Sequence, residues 1–217
     1  MRLRVVYDNE AEPGYIADWG FSCHVEIGGE KVLFDTGSDG SILLHNMRLA
    51  GVAPEEISKV VLSHAHWDHI GGLASILEEV SGMEVFAPAS FHHGIRKQIA
   101  SKARLVEVSG AMEVCEHVHT TGELGTGTKE QSLVVGSGKR YVITGCSHPG
   151  LGTILRAASA LGKVSGVLGG FHGSTEYDLL EGMEVIAPCH CTMHKEEIAR
   201  RFPEAFVKVR AGSIMDL

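Results

Sequence analysis

With 217 residues, 44% hydrophobic and 21% charged, the chain can build one sizeable core but is short for two independent domains. Its formal net charge of −8, from 19 basic and 27 acidic side chains, argues against a nucleic-acid backbone as the main partner. No apolar run approaches the ~20 residues needed to cross a bilayer, so no membrane partner is expected.

In chain order, residues 3–7 and 21–27 read as strands, and the opening segment reads as a strand rather than a signal peptide. Gly28-Gly29-Glu30 forms a hairpin turn, and residues 31–34 return as a strand ending in Asp35-Thr36-Gly37-Ser38. Ile42, Leu43, Met47 and Leu49 recur at helical spacing over 40–50, closed by Gly51. Glu55 and Glu56 open a helical turn, and 59–62 is an apolar run with the character of a buried strand. A helix follows over 73–80. Strands then recur at 84–87, 105–108, 114–119, 132–135, 140–144, 164–168, 183–187 and 205–209, with helices at 91–100, 152–161 and 193–202. No low-complexity linker interrupts the chain, so residues 1–217 are expected to form a single domain of sheets covered by helices, α+β in class.

Five scattered cysteines, an odd number, predict a reducing, cytoplasmic setting rather than a disulfide framework. Thirteen histidines in an acidic chain point towards a metal. Residues 64–69 read His-Ala-His-Trp-Asp-His, directly after a buried strand and just before Gly71-Gly72. Imidazole nitrogen and carboxylate oxygen bind a borderline ion at roughly 2.0–2.2 Å. In an extended segment His64 and His66 point the same way and can share one ion, while Asp68 and His69 face a second after the chain turns. Paired ions roughly 3.5–4 Å apart activate water and polarise the bond it attacks. Surface histidines with Asp68 as a helix N-cap are the structural alternative, which this spacing disfavours.

His64-Ala-His66-Trp-Asp68-His69 resembles the HxHxDH signature of the metallo-β-lactamase superfamily, and Val32-Leu33-Phe34-Asp35-Thr36-Gly37 resembles its first motif. The resemblance implies a four-layer αββα sandwich, metals at one edge between two sheets, and Asp35 as a group that steadies the metal loop. Gly20-Phe21-Ser22, Asn46, Gly145-Cys146-Ser147-His148-Pro149-Gly150, Gly169-Gly170-Phe171-His172 and Pro188-Cys189-His190-Cys191-Thr192 are similar to the branch named after dihydropterin–aminobenzene ribofuranosyl phosphate synthase.

His190, at a strand end, looks like the superfamily's last metal histidine; in an extended stretch Cys189 and Cys191 would face away from it. His148, on a sharp loop after the strand 140–144, is expected to be the third ligand of the ion held by His64 and His66. Where most relatives have Thr-Gly-Asp with a bridging aspartate, this chain has Thr144-Gly145-Cys146. Cys146 is then a thiolate ligand, a structural residue or a redox liability. His172 is a candidate for substrate binding or general acid, and His119 a weaker one. His24, His45, His92, His93, His117 and His194 read as structural or solvent-exposed.

The expected activity is metal-dependent hydrolysis of a phosphoester, lactone, thioester or related bond in a small, anionic molecule. One or two Zn²⁺ ions are expected, with Mn or Fe as alternatives, and Asp68 or His172 protonates the leaving group. The rivals are a pterin-type transferase of methanopterin biosynthesis, with the same metals, and a non-catalytic metal- or ligand-binding protein on the same fold. Nothing in the sequence sets the oligomeric state.

Overall fold

In strand β1 (Arg2–Tyr7), Leu3 and Val5 are buried while Arg2 and Arg4 are more exposed, the alternation of a sheet with one face on a core. The computed structural model describes residues 1–217 and groups them into two compact units, Met1–Ser109 with Arg210–Leu217, and Gly110–Val209. No helix is long and apolar enough to cross a membrane.

The first unit adds β2 (Ser22–Ile27), β3 (Glu30–Phe34), β4 (Lys59–Val61), β5 (Glu84–Pro88), β6 (Arg104–Val108) and β13 (Ile214–Asp216) in the order β13-β1-β2-β3-β4-β5-β6. Pairing is antiparallel from β13 to β3 and parallel from β3 to β6. The β2–β3 turn uses Gly28 and Gly29 at φ 61° and 89°, which a residue with a Cβ adopts only with strain. Helix α1 (Gly40–Leu49) crosses from β3 to β4, capped by Asp39, whose carboxylate accepts from the amides of Ser41 and Ile42. Helices α2 (Trp67–Ile70) and α3 (Leu73–Glu79) lead to β5, and α4 (His93–Ala100) leads to β6. Leu43 and Met47 of α1 join Ile76 of α3 and Leu33, Val60 and Val85 of the sheet in one core.

The second unit repeats this logic. Strands β7 (Met112–Cys115), β8 (Val118–Thr120), β9 (Leu133–Val135) and β10 (Arg140–Thr144) pair antiparallel. Strands β11 (Val164–Gly170) and β12 (Val185–Cys189) then add in parallel. Helix α5 (Leu151–Ser159) crosses from β10 to β11, and α6 (Lys195–Arg201) follows β12. Ile154 and Leu155 of α5 and Ile198 of α6 pack with Val142, Val167 and Ile186 of the sheet.

Three expectations need correction. The segment 114–119 is not one strand: the chain turns at Glu116-His117, with His117 at φ 66°, and returns as β8. Alternation of side chains continues through that turn, and neither Gly nor Pro marks it. The segment 205–209 makes only a single bridge, Phe206 to Ile186, and forms no strand. Strand β13 was not expected; its three residues are too few for a pattern, and it exists through pairing with β1.

His24 in β2 is buried beside Arg4, whose Nη1 lies 3.3 Å from His24 Nδ1 and donates to Glu26 at 2.7 Å. Burial, then the Arg4 charge, lowers the His24 pKa from 6.5 to about 4. Below pH 6.5 the unfolded chain takes up a proton that the folded chain refuses until about pH 4, so this contribution to stability is complete above 6.5 and lost as pH falls. The urea midpoint of wild type should therefore drop between pH 7 and about pH 5, where carboxylates stay ionised, and His24→Asn should drop less. Equal drops in both proteins would remove His24 from the account.

Candidate metal centre

The residues of interest in both units follow the C-terminal ends of parallel strands, where open α/β sheets place their ligands. Asp35 follows β3, Ser63 and His64 follow β4, Thr144–His148 covers the end of β10, and His172 and His190 follow β11 and β12. Of five non-glycine residues with positive φ, four lie in these loops: Asp35 (56°), Ser147 (62°), His172 (50°) and His190 (48°). Such strain persists where surrounding bonds hold it, often at functional sites.

In the first unit those bonds converge on Asp35, which is fully buried. Its Oδ1 accepts the Ser63 amide at 2.6 Å, and its Oδ2 accepts the Ser63 hydroxyl at 2.6 Å and His69 Nδ1 at 2.7 Å. A carboxylate only accepts, so His69 carries its proton on Nδ1 and presents Nε2 as the basic nitrogen. Ser63 has one hydrogen, already given to Asp35, so its oxygen accepts from His64 Nδ1 at 2.8 Å. His64 is thereby set in the same tautomer. Its Nε2 lies 3.0 Å from His66 Nδ1, against roughly 3.3 Å for two ligands of one tetrahedral ion. Asp68 Oδ2 lies 3.7 Å from His69 Nε2, and the His64 and His69 rings are 4.2 Å apart. The structure thus gathers His64, His66, Asp68 and His69 at one strand end, with the His64 ring as near His69 as His66.

The loop bearing these groups is stitched to the one after β3. The carbonyl of His69 accepts from the Thr36 amide (2.7 Å) and hydroxyl (3.0 Å), and Gly71 N donates to the Gly37 carbonyl at 2.9 Å. A Cβ at Gly72 would meet the Thr36 carbonyl at 2.3 Å, so only glycine permits this approach. Beneath, the Tyr7 hydroxyl and the Ser38 hydroxyl both donate to Asp18 Oδ2, at 2.8 and 2.6 Å. Burial pushes the Tyr7 phenol up to about 12, and the bond from Ser38 holds the Asp18 carboxyl below its usual range.

In the second unit Glu130 has the corresponding place. Its Oε1 accepts from the amides of Gly145, Cys146 and Ser147 and from the Thr144 hydroxyl, each at 3.0 Å. Its Oε2 accepts the His148 amide at 2.9 Å. Successive amides turned to one anion form a nest, here closed by an internal carboxylate. Ser147 donates to the Gly170 carbonyl at 2.7 Å, tying this loop to the end of β11. Thr192 accepts from the Phe171 amide at 2.9 Å and donates to the Cys189 carbonyl at 2.7 Å, tying β11 to β12. The half-buried His148 ring lies 5.3 Å from the exposed His172 ring, and His190 is buried.

Here too an expectation needs correction. The chain is not extended through 189–191: β12 ends at Cys189 and His190 turns left-handed, so period-two alternation does not set where Cys191 points. The Cys191 thiol reaches the Cys146 carbonyl at 3.9 Å. His119 lies inside β8, away from the strand-end loops. His24 is structural, as expected, and His92 caps α4 by accepting the Gly94 amide.

The donor types suit a borderline divalent ion: imidazole in His64, His69, His148 and His190, and a thiol in Cys146. Glu130 escaped the sequence reading. It sits in a polar, glycine-rich stretch with no periodicity, and only tertiary pairing reveals it. Ser63, the relay between Asp35 and His64, escaped it too, because the link exists only through contacts in the folded chain.

Helix-covered sheets whose strand-end loops carry histidines and buried carboxylates define the class of protein. The chain belongs to the metallo-β-lactamase superfamily, which it matches over residues 22–155, and whose members are mostly metal-dependent hydrolases. It is 27% identical to an uncharacterized protein of Methanocaldococcus jannaschii, over 99% of this chain and 100% of that protein. It is 26% identical to 7,8-dihydropterin-6-methyl-4-(β-D-ribofuranosyl)-aminobenzene-5′-phosphate synthase of the same organism, over 90% of this chain and 88% of the synthase. The crystal structure of Tm1679, described as a metal-dependent hydrolase of the β-lactamase superfamily, aligns with 100% of this chain and 99% of its own, with a TM-score of 0.77 and 26% identity. These matches bear out the expected fold class and the resemblance to the synthase branch.

Removing either buried carboxylate should loosen its loop. Glu130→Ala leaves the amides of residues 145–148 without their acceptor, costing on the order of 3 kcal/mol, or roughly 6–12 °C in Tm. Asp35→Ala should lower bound metal as well as Tm, since it releases His69 and Ser63 together. A Glu130→Ala protein melting with wild type would show that the nest contributes nothing to stability.

Proposed function

We propose that the protein is a metal-dependent hydrolase of small anionic molecules, its ion or ions held by His64, His66, Asp68, His69, His148 and His190. The observation carrying this reading is the Asp35–Ser63 relay, which sets His64 and His69 in the tautomer that presents Nε2. Hydrogen-bonded partners of this kind raise ligand basicity and fix ring orientation. Zn²⁺ is the favoured ion, with Mn or Fe as alternatives; when bound, such ions activate water and stabilise developing negative charge.

The chain's own residues supply the rest. Asp68 moves a proton between water and the leaving group. His172, exposed beside His148, is placed to protonate a leaving oxygen or hold an anionic group. Trp67 (63% exposed) and Met193 (71% exposed), next to the metal motif and near His190 in sequence, offer apolar contact to the substrate's remainder. We read residues 1–217 as one domain working in the cytoplasm.

A transferase is the second reading, favoured by the relative named as a synthase. In that case the same side chains hold a phosphate-bearing substrate and an organic acceptor replaces water.

Metal should be counted on protein prepared without added metal or chelator, beside His148→Ala. About two ions per chain, falling in the variant, support the reading; no transition metal in either protein would end it. A panel of phosphoesters and lactones in ¹⁸O-labelled water separates the two activities. Label in the product marks hydrolysis, and turnover without label marks transfer.

A further inference from the structure

We propose that the Cys146 thiol is a ligand shared by two metal positions, one served by His148 and the other by His190. The inference rests on the hydrolase reading for the presence of metal, and on the second unit's own geometry for the role of the sulfur.

Three observations carry it. The Cys146 sulfur lies within 4.8 Å of a ligand nitrogen of His148, and likewise within 4.8 Å of one of His190. The two imidazoles come from different elements, His148 from the loop after β10 and His190 from the end of β12. Cys146 is therefore the donor common to both. Its backbone is also not free to adapt. The Cys146 amide and those of Gly145, Ser147 and His148 are all committed to the buried Glu130. Finally, the neighbouring backbone closes in around it. A Cβ at Gly170 would stand 2.4 Å from the Gly145 carbonyl oxygen, 2.7 Å from Cys191 Sγ and 3.2 Å from Cys146 Cα. Glycine at 170 lets β11 press the Cys146 loop into one position.

A thiol bound to a divalent cation loses its proton to solvent and becomes a soft anionic ligand. A thiolate sulfur has more than one lone pair, so a single side chain can serve two ions. Nitrogen from His148 or His190 beside that sulfur gives a mixed sulfur–nitrogen donor set of the kind zinc and cobalt accept.

Cobalt makes the sulfur visible. The full chain, loaded with Co²⁺ in steps, should develop a near-ultraviolet sulfur-to-cobalt charge-transfer band that grows through both the first and second equivalents. Cys146→Ser should lose the band and retain about one ion in place of about two. Cys146→Asp should also lose the band but keep both ions, because a carboxylate is an anionic ligand with two oxygens whereas a neutral hydroxyl binds weakly. Cys189→Ser and Cys191→Ser should keep the band, and melting curves without metal report whether each variant folds. Two ions bound to wild type with no band would sink this inference and leave the hydrolase reading standing. So would a band that saturates after one equivalent, which marks a terminal ligand, or one that survives in Cys146→Ser. No cobalt bound by any folded protein would instead overturn the hydrolase reading itself.

Discussion

A carboxylate taken out of water must be met by donors or cations, because isolated burial costs many kcal/mol. That constraint organises both units. Asp35 and Glu130 are each fully buried, and each draws its donors from the loop that carries the candidate ligands. Asp35 collects the Ser63 amide, the Ser63 hydroxyl and His69. Glu130 collects four successive amides and the Thr144 hydroxyl. The two carboxylates solve different problems with the same physics. Asp35 fixes which ring nitrogen is protonated, whereas Glu130 fixes a backbone path.

The backbone path needs such fixing because the loops are strained. Asp35, Ser147, His172 and His190 lie in the left-handed region, which costs of order 1–3 kcal/mol per residue. A parallel strand ending in a sharp left-handed turn throws the next side chain off the sheet rather than along it. Each sheet then projects its functional groups from one edge, with helices such as α1 and α5 making the crossovers behind. Close approaches at Gly72 and Gly170 complete the arrangement, since the carbonyls facing them leave no room for a side chain.

Much of this was legible in the sequence because it is local. The spacing of His64, His66, Asp68 and His69 marks them as a local cluster, and the buried run before it marks the strand. His148, His172 and His190 were readable because each follows an apolar strand and precedes a turn. What escaped was non-local or lacked a period. Glu130 is distant in sequence from most of the loop it holds, and β13 exists only as a partner of β1. The break at His117 falls where alternation runs on undisturbed, and the bend at His190 replaces an extended run that period two alone would continue.

Charge also bears on what each unit can offer an anion. A net charge of −8 would repel an anionic substrate at long range, but screening confines such repulsion to roughly 8 Å at physiological salt. What a substrate meets is local. In each unit the buried carboxylate is met by protein donors, Asp35 by Ser63 and His69 and Glu130 by the amides of residues 145–148. Their oxygens are thus already occupied and do not reach out to an incoming anion. An acidic protein can then still admit an anion beside these loops, because its excess carboxylates act only over a screened range.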